Sequence, residues 1–208
     1  MQIKSTIFMA AVTAAVMSAP ASAATLAAAM IPLNIRSGPG PQYSVIGAIP
    51  TRGQATVLGC VPGSLWCQVS YNGRMGWVYS QYLTAQFSGR SLIVAEHLND
   101  VGPPITYQPP PETIGSAAPP PVIRGTLVAP QVVEQPQVIA PPPQIVGNYV
   151  ISHPVTPVYL NGEVVEGVGL PPDVALAPIP GSDYDYAYVN NVPVLVEPTT
   201  RRVEYLYR

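Results

Sequence analysis

Short apolar alternations, broken every few residues by glycine, proline or asparagine, run from residue 33 to 83, and a second set runs from 184 to 207. Period-two patterning in pieces this short predicts strands, and turn residues between them predict a small all-β unit at each end of the chain. In the first set the predicted strands are 34–36, 45–49, 55–60, 66–71 and 75–79. Leu33 and Ile35 alternate with Asn34 and Arg36, so the first pair is expected to face a core and the second pair to face out. Asn72-Gly73 suits the left-handed conformations of a type I′ turn and makes 66–71 and 75–79 a hairpin. One extra strand, 91–95, follows the turn Ser88-Gly89-Arg90 within an 85–100 segment.

In the second set the predicted strands are 184–189, 192–197 and 202–207, turned at Asn190-Asn191 and again at 198–200. Tyr184, Tyr186 and Tyr188 share one face in this reading, opposite Val194, Val196, Val203 and Tyr205. Pro193 has no donor and is expected to pair on one side only. Upstream, "PVYLNGEVVEG" at 157–167 carries another Asn-Gly hairpin signal. The sets are kept apart by proline, most of the chain's 27 lying between 102 and 180, with a P-P-P-x-x-x-G unit at 109–115, 119–125 and 141–147. Triple proline favours an extended polyproline helix without internal hydrogen bonds, so 101–148 reads as a proline-rich, disordered linker. A ligand for a proline-recognising domain is the alternative.

Composition and charge narrow the function. With 10% charged residues and a formal net charge of −2, the chain has no footprint for nucleic acid. Lys4 precedes an uncharged apolar run at 5–17 that is too short to span a bilayer, and Ala21-Ser22-Ala23 supplies small residues for a peptidase. Residues 1–23 are therefore expected to be a signal peptide, with a retained anchor as the alternative. No later segment approaches the ~20 apolar residues of a membrane helix. The expectation is a periplasmic or secreted protein with no membrane span after signal cleavage. Cys60 and Cys67, near neighbours in an exported chain, are expected to form a disulfide. Their spacing is not that of a redox pair, and two thiols are too few for zinc. His97 and His153 are the only histidines, and no nucleophile–base pair or metal cluster is legible, so neither an enzyme nor a cofactor or metal is expected.

The stretch "LNIRSGPGPQYSVIGAIPTRGQATVLG", Trp66 with Val69, and the closing "GWVYSQYL" resemble the bacterial SH3-like (SH3b) family of cell-envelope proteins, over 31–84. The resemblance implies a small SH3-like β-barrel, in which 36–40 is the bend leaving the first strand and 76–83 is the last strand with its short 3₁₀ turn. It places Tyr79 and Tyr82 where such barrels display ligand-facing aromatics and Trp66 at a groove position; core packing is the other reading for each, and for Trp77. Arg36 either pairs with a ligand's carboxylate or caps its own bend. Residues 149–208 resemble an uncharacterised module of exported Gram-negative proteins, through Val168-Gly169-Leu170-Pro171-Pro172 and the terminal Y-x-x-V…V-L-V-x-P-x-T-R-x-V pattern. No chemistry attaches to that module; Arg201-Arg202 either binds an anion or lies on a solvated face. The fold expected is mainly β: barrel, linker, and a small C-terminal hairpin or meander. The function the resemblance implies is recognition of peptidoglycan or its peptide stem, the alternative being an envelope-protein partner or a structural role with the linker as spacer.

Overall fold

The computed structural model describes residues 24–108, 122–127 and 142–208; the expected signal peptide and most of the proline repeats lie outside the described residues. Eight strands form one antiparallel sheet: β1 (Thr25–Ala29), β2 (Leu33–Arg36), β3 (Val45–Ile49), β4 (Gln54–Cys60), β5 (Trp66–Tyr71), β6 (Arg74–Tyr79), β7 (Leu83–Phe87) and β8 (Arg90–Ile93). Their order is β3-β2-β6-β5-β4-β1-β7-β8, and Ser80–Tyr82 is a 3₁₀ turn before β7. Leu33, Ile35, Val57, Cys67, Val69, Val78 and Leu83 share a single buried cluster, so the sheet rolls around them as an SH3-like barrel. Asn72 (φ 49°) and Gly73 (φ 77°) make the β5–β6 turn where the sequence places it. Cys60 and Cys67 stand opposite each other across β4 and β5 and are disulfide-bonded.

Two features of the barrel differ from the sequence reading. The segment "TLAAA" carries little strand propensity, yet β1 pairs with both β4 and β7, because small side chains fit between two ladders that are already formed. The extra strand is one arm of a hairpin, β7–β8, that turns at Ser88 and Gly89; Val94, assigned to that strand by its sequence, lies instead in a buried 3₁₀ turn.

The C-terminal part comprises β9 (Val122–Thr126), α1 (Gln144–Ser152), β10 (Tyr159–Asn161), β11 (Ala177–Pro178), β12 (Asp185–Val189), β13 (Val192–Glu197) and β14 (Arg202–Leu206). Strands β11 to β14 form an antiparallel sheet in chain order. Asn190 (φ 54°) and Asn191 (φ 64°) turn β12 into β13. One face of this sheet buries Ala187, Val189, Val194, Val196 and Val203; the other buries Tyr186 and Leu195 beneath α1, with Tyr184 and Tyr188 beside them. Tyr205 belongs to the tyrosine face, contrary to the simple alternation, because an irregularity opposite Leu195 and Val196 inserts Glu204 and shifts the register by one. Pro193 stands opposite Tyr188 and its carbonyl accepts from Tyr207, so its missing donor falls where the β14 ladder ends.

Two further expectations are corrected. Asn161-Gly162 does not turn a hairpin: β10 pairs in parallel with β9, and the chain after Gly162 leaves the sheet and carries Glu163 inward. The connector is also not uniformly detached. Ile105 donates to the Cys60 carbonyl, Tyr107 lies edge-on to Trp77 and Tyr43, and β9 adds to the C-terminal part. Gly147 and Val150 of α1 are buried, which the proline-rich surroundings concealed.

Candidate functional site

Strand β2 alternates as its sequence demands, but its polar side does not meet water. Asn34 and Arg36 are both 0% exposed, as is Glu163 from the C-terminal part. Arg36 Nε donates to Glu163 Oε2 at 2.7 Å and Nη2 donates to Oε1 at 2.8 Å, a bidentate pair. Asn34 Nδ2 donates to the same Oε1 at 2.9 Å. Arg36 Nη1 donates to the carbonyls of Pro41, Tyr43 and Asn190. Asn190 in turn holds Leu160 and Gly162 with its side-chain amide, fixing the loop that delivers Glu163. All three guanidinium nitrogens are engaged within the chain. Arg36 does cap its own bend, through Pro41 and Tyr43, and the carboxylate it meets is the chain's own Glu163 rather than a ligand's. The expectation that Asn34 and Arg36 face out fails because a second module covers that side of β2. Gly38 belongs to the same bend, where any side chain would run into the Tyr43 ring.

The aromatic residues are placed by the same period of two. Cys67 and Val78 point into the barrel, so their neighbours Trp66, Trp77 and Tyr79 point to the outer surface of β5 and β6. Trp66 stands directly opposite Tyr79, ring centroids 5.4 Å apart and edge to face; Tyr79 and Tyr82 follow at 6.2 Å. Trp66, Tyr79 and Tyr82 thus form one continuous aromatic ladder, in which Trp66 is buried and the two tyrosines are half-buried. Trp77 is on the same surface but is covered by Tyr107. The C-terminal part reaches the ladder: Tyr82 packs against both apolar cores, and Gly162 lies beside Tyr79 and Leu127.

Burial pushes the Tyr82 phenol up to about 12, with the nearby Tyr79 and Glu163 adding to it, and burial also raises Tyr79. Both hydroxyls therefore stay protonated at neutral pH and can donate as well as accept. Such a surface can stack on planar amides or sugar faces and add directional hydrogen bonds at its edge.

The sequence reading did not single out Glu163, and it read Asn190 only as a turn residue. Their signal was present but non-local: Glu163 is the lone acid between Val158 and Val165, a position a solvated loop does not require. Arg201 and Arg202 do not lie on a solvated face. Arg201 donates to the Pro171 and Val174 carbonyls and Arg202 to that of Gly167, so both hold the 167–174 loop against β14.

Two family models match the chain. Residues 32–84 match the bacterial SH3 domain, and residues 149–208 match a domain of unknown function (DUF1236). A curated relative, "Putative N-acetylmuramoyl-L-alanine amidase YrvJ" of Bacillus subtilis (strain 168), is 39% identical over 70 residues, which cover 34% of this chain and 13% of that protein. The likeness is thus to a small part of a much longer protein. No helix among the described residues is long and apolar enough to cross a membrane. The chain carries a bacterial SH3 domain, a binding module, locked through Arg36 and Glu163 to a domain of unknown function (DUF1236).

Proposed function

We propose that this protein is an exported, non-catalytic binding module of the cell envelope, and that the Trp66–Tyr79–Tyr82 ladder holds peptidoglycan through its peptide stem. The observation that carries this reading is the ladder itself: three aromatics in series, Trp66 on Tyr79 and Tyr79 on Tyr82, with two phenols still partly open. The fully buried barrel core is filled by aliphatic residues, alanines and the disulfide, and of the three aromatics Tyr82 alone packs against it. Support comes from the bacterial SH3 match and from the likeness to a short part of a protein named as a putative N-acetylmuramoyl-L-alanine amidase. The disulfide supports export to an oxidising compartment.

Co-sedimentation with purified sacculi tests the reading. Tyr79→Ala should weaken binding by about 1–3 kcal/mol, as loss of an interface aromatic does, with little change in the melting curve. Tyr82→Ala should weaken binding and also lower stability, since Tyr82 bridges both cores. Full binding by a stably folded Tyr79→Ala variant would remove the ladder from the mechanism, and capture of an envelope protein in place of sacculi would favour the interaction-protein alternative.

A further inference from the structure

A second site lies on the opposite flank of β2, in the cleft between the open edge strand β3 and the start of β13. The cleft measures about 420 Å³, within the range that holds small ligands. Its walls include Val45, Ala48 and Val192, and its polar groups include Asn34, Tyr207 and Arg208.

Two buried side-chain atoms in the described residues lack a hydrogen-bond partner, Asn34 Oδ1 and the Tyr207 hydroxyl, and both residues line this one cleft. The orientation of the Asn34 amide is not arbitrary. A carboxylate oxygen only accepts, so the NH2 end must face Glu163 and the acceptor end is left over. A residue with 0% exposure and an orphaned acceptor is costly to the fold unless something supplies a donor. The Tyr207 phenol is raised by burial and by Tyr205, so it remains a donor that can meet a carbonyl. Arg208 is exposed at the cleft, and its single hydrogen bond, from Nη2 to the Pro32 carbonyl, leaves further guanidinium donors open. No acidic side chain lines the cleft among the described residues. Strand β3 is the last in its sheet, so its outer side has no strand partner, although Arg74 donates to the Ile46 carbonyl; an open edge of this kind is what sites for extended main chain use.

We infer that this cleft binds a short peptide with a free carboxylate: its amide N–H donates to Asn34 Oδ1, its carbonyl accepts from the Tyr207 hydroxyl, its carboxylate meets Arg208, and small side chains lie against Val45 and Val192. The inference does not rest on the aromatic ladder, which lies elsewhere on the barrel.

The test uses the full chain, isotope-labelled, titrated with N-acetyl-alanyl-alanine and separately with its N-methylamide, which lacks the carboxylate. The free acid should give saturable shifts at the Asn34 side-chain amide, Ala48 and Val192, with an affinity of about millimolar for so small a probe. Tyr207→Phe should weaken it about fivefold while leaving the melting temperature unchanged, since the hydroxyl makes no bond within the chain. Arg208→Gln should weaken the acid about tenfold and the methylamide not at all. Ala48→Leu, at an exposed strand position, should fill the cleft and abolish binding in a chain that still melts normally. Tyr79→Ala should have no effect. Absence of saturable shifts up to ~20 mM would overturn the inference. So would shifts centred on Tyr79 and Tyr82, or binding that survives Ala48→Leu.

Discussion

The two sides of strand β2 are buried equally and held by different physics. Leu33 and Ile35 face the barrel interior and are stabilised by apolar area removed from water. Asn34 and Arg36, one residue out of phase, face the C-terminal part and are stabilised by a bidentate ion pair and by the carbonyls of Pro41, Tyr43 and Asn190. Alternation in a strand therefore sorts side chains by polarity, and whether the polar side meets solvent depends on what else the chain brings to it. The apolar side tolerates small changes of shape. The polar side is all or nothing, because a buried charge without its partner is far more costly than a missing methyl group.

The strongest way to break the comparison is Glu163→Ala, which leaves the Arg36 guanidinium buried and unpaired. It should cost about 3–5 kcal/mol in denaturant unfolding. The double replacement Arg36→Met with Glu163→Leu should recover only the part due to the unpaired charge, since Asn34 and the carbonyls of Pro41, Tyr43 and Asn190 lose their partners with the pair. If the double variant is as unstable as the single one, the charge pair is not what makes the junction sensitive.

Removing the disulfide acts on the barrel alone. Cys60 and Cys67 close a loop with a sequence separation of 7, and replacing both with serine should cost about 2–3 kcal/mol by the loop-closure estimate. Thiol labelling without reductant should find no free cysteine in the wild type. At the apolar side itself, Ile35→Val removes one methylene from a fully buried chain and should cost about 0.5–1.5 kcal/mol. A loss as large as that of Glu163→Ala would erase the distinction between the two sides.

The smallest effect is an alkaline one. Burial holds the Tyr82 phenol at about 12 against an ordinary 10.0, so the folded chain keeps a proton that the unfolded chain releases. The stabilisation is complete below pH 10 and is lost as pH rises towards 12, so a phenolate absorbance titration should show a late-titrating tyrosine. Tyr82→Phe should reduce that late step without abolishing it, since burial and Tyr107 push the Tyr43 phenol up to about 12 as well.

Much of this architecture was legible along the chain. The barrel strands, the Asn72-Gly73 turn, the Cys60–Cys67 staple and the three terminal strands all rest on signals within a dozen residues of one another. Trp66, Tyr79 and Tyr82 were grouped through the family resemblance, and the β5–β6 hairpin sets Trp66 opposite Tyr79. Strand β1 was hidden because alanine carries no strand signal, and α1 because it starts beside a proline triplet. The position of Tyr205 was hidden because one inserted residue reverses every later side chain.

By itself the sequence determined the strands from β2 to β6 and the three terminal strands, their turns at Asn72-Gly73 and Asn190-Asn191, and which side of β2 is polar, because those properties depend on near neighbours and on the pleat. Only the tertiary structure decided what became of the polar side of β2. Arg36 and Glu163 are 127 residues apart, and no periodicity reaches across a proline-rich connector to pair them. Whether a polar residue in a strand is solvated or locked depends on desolvation by a surface folded elsewhere, and that surface exists only once both modules have formed.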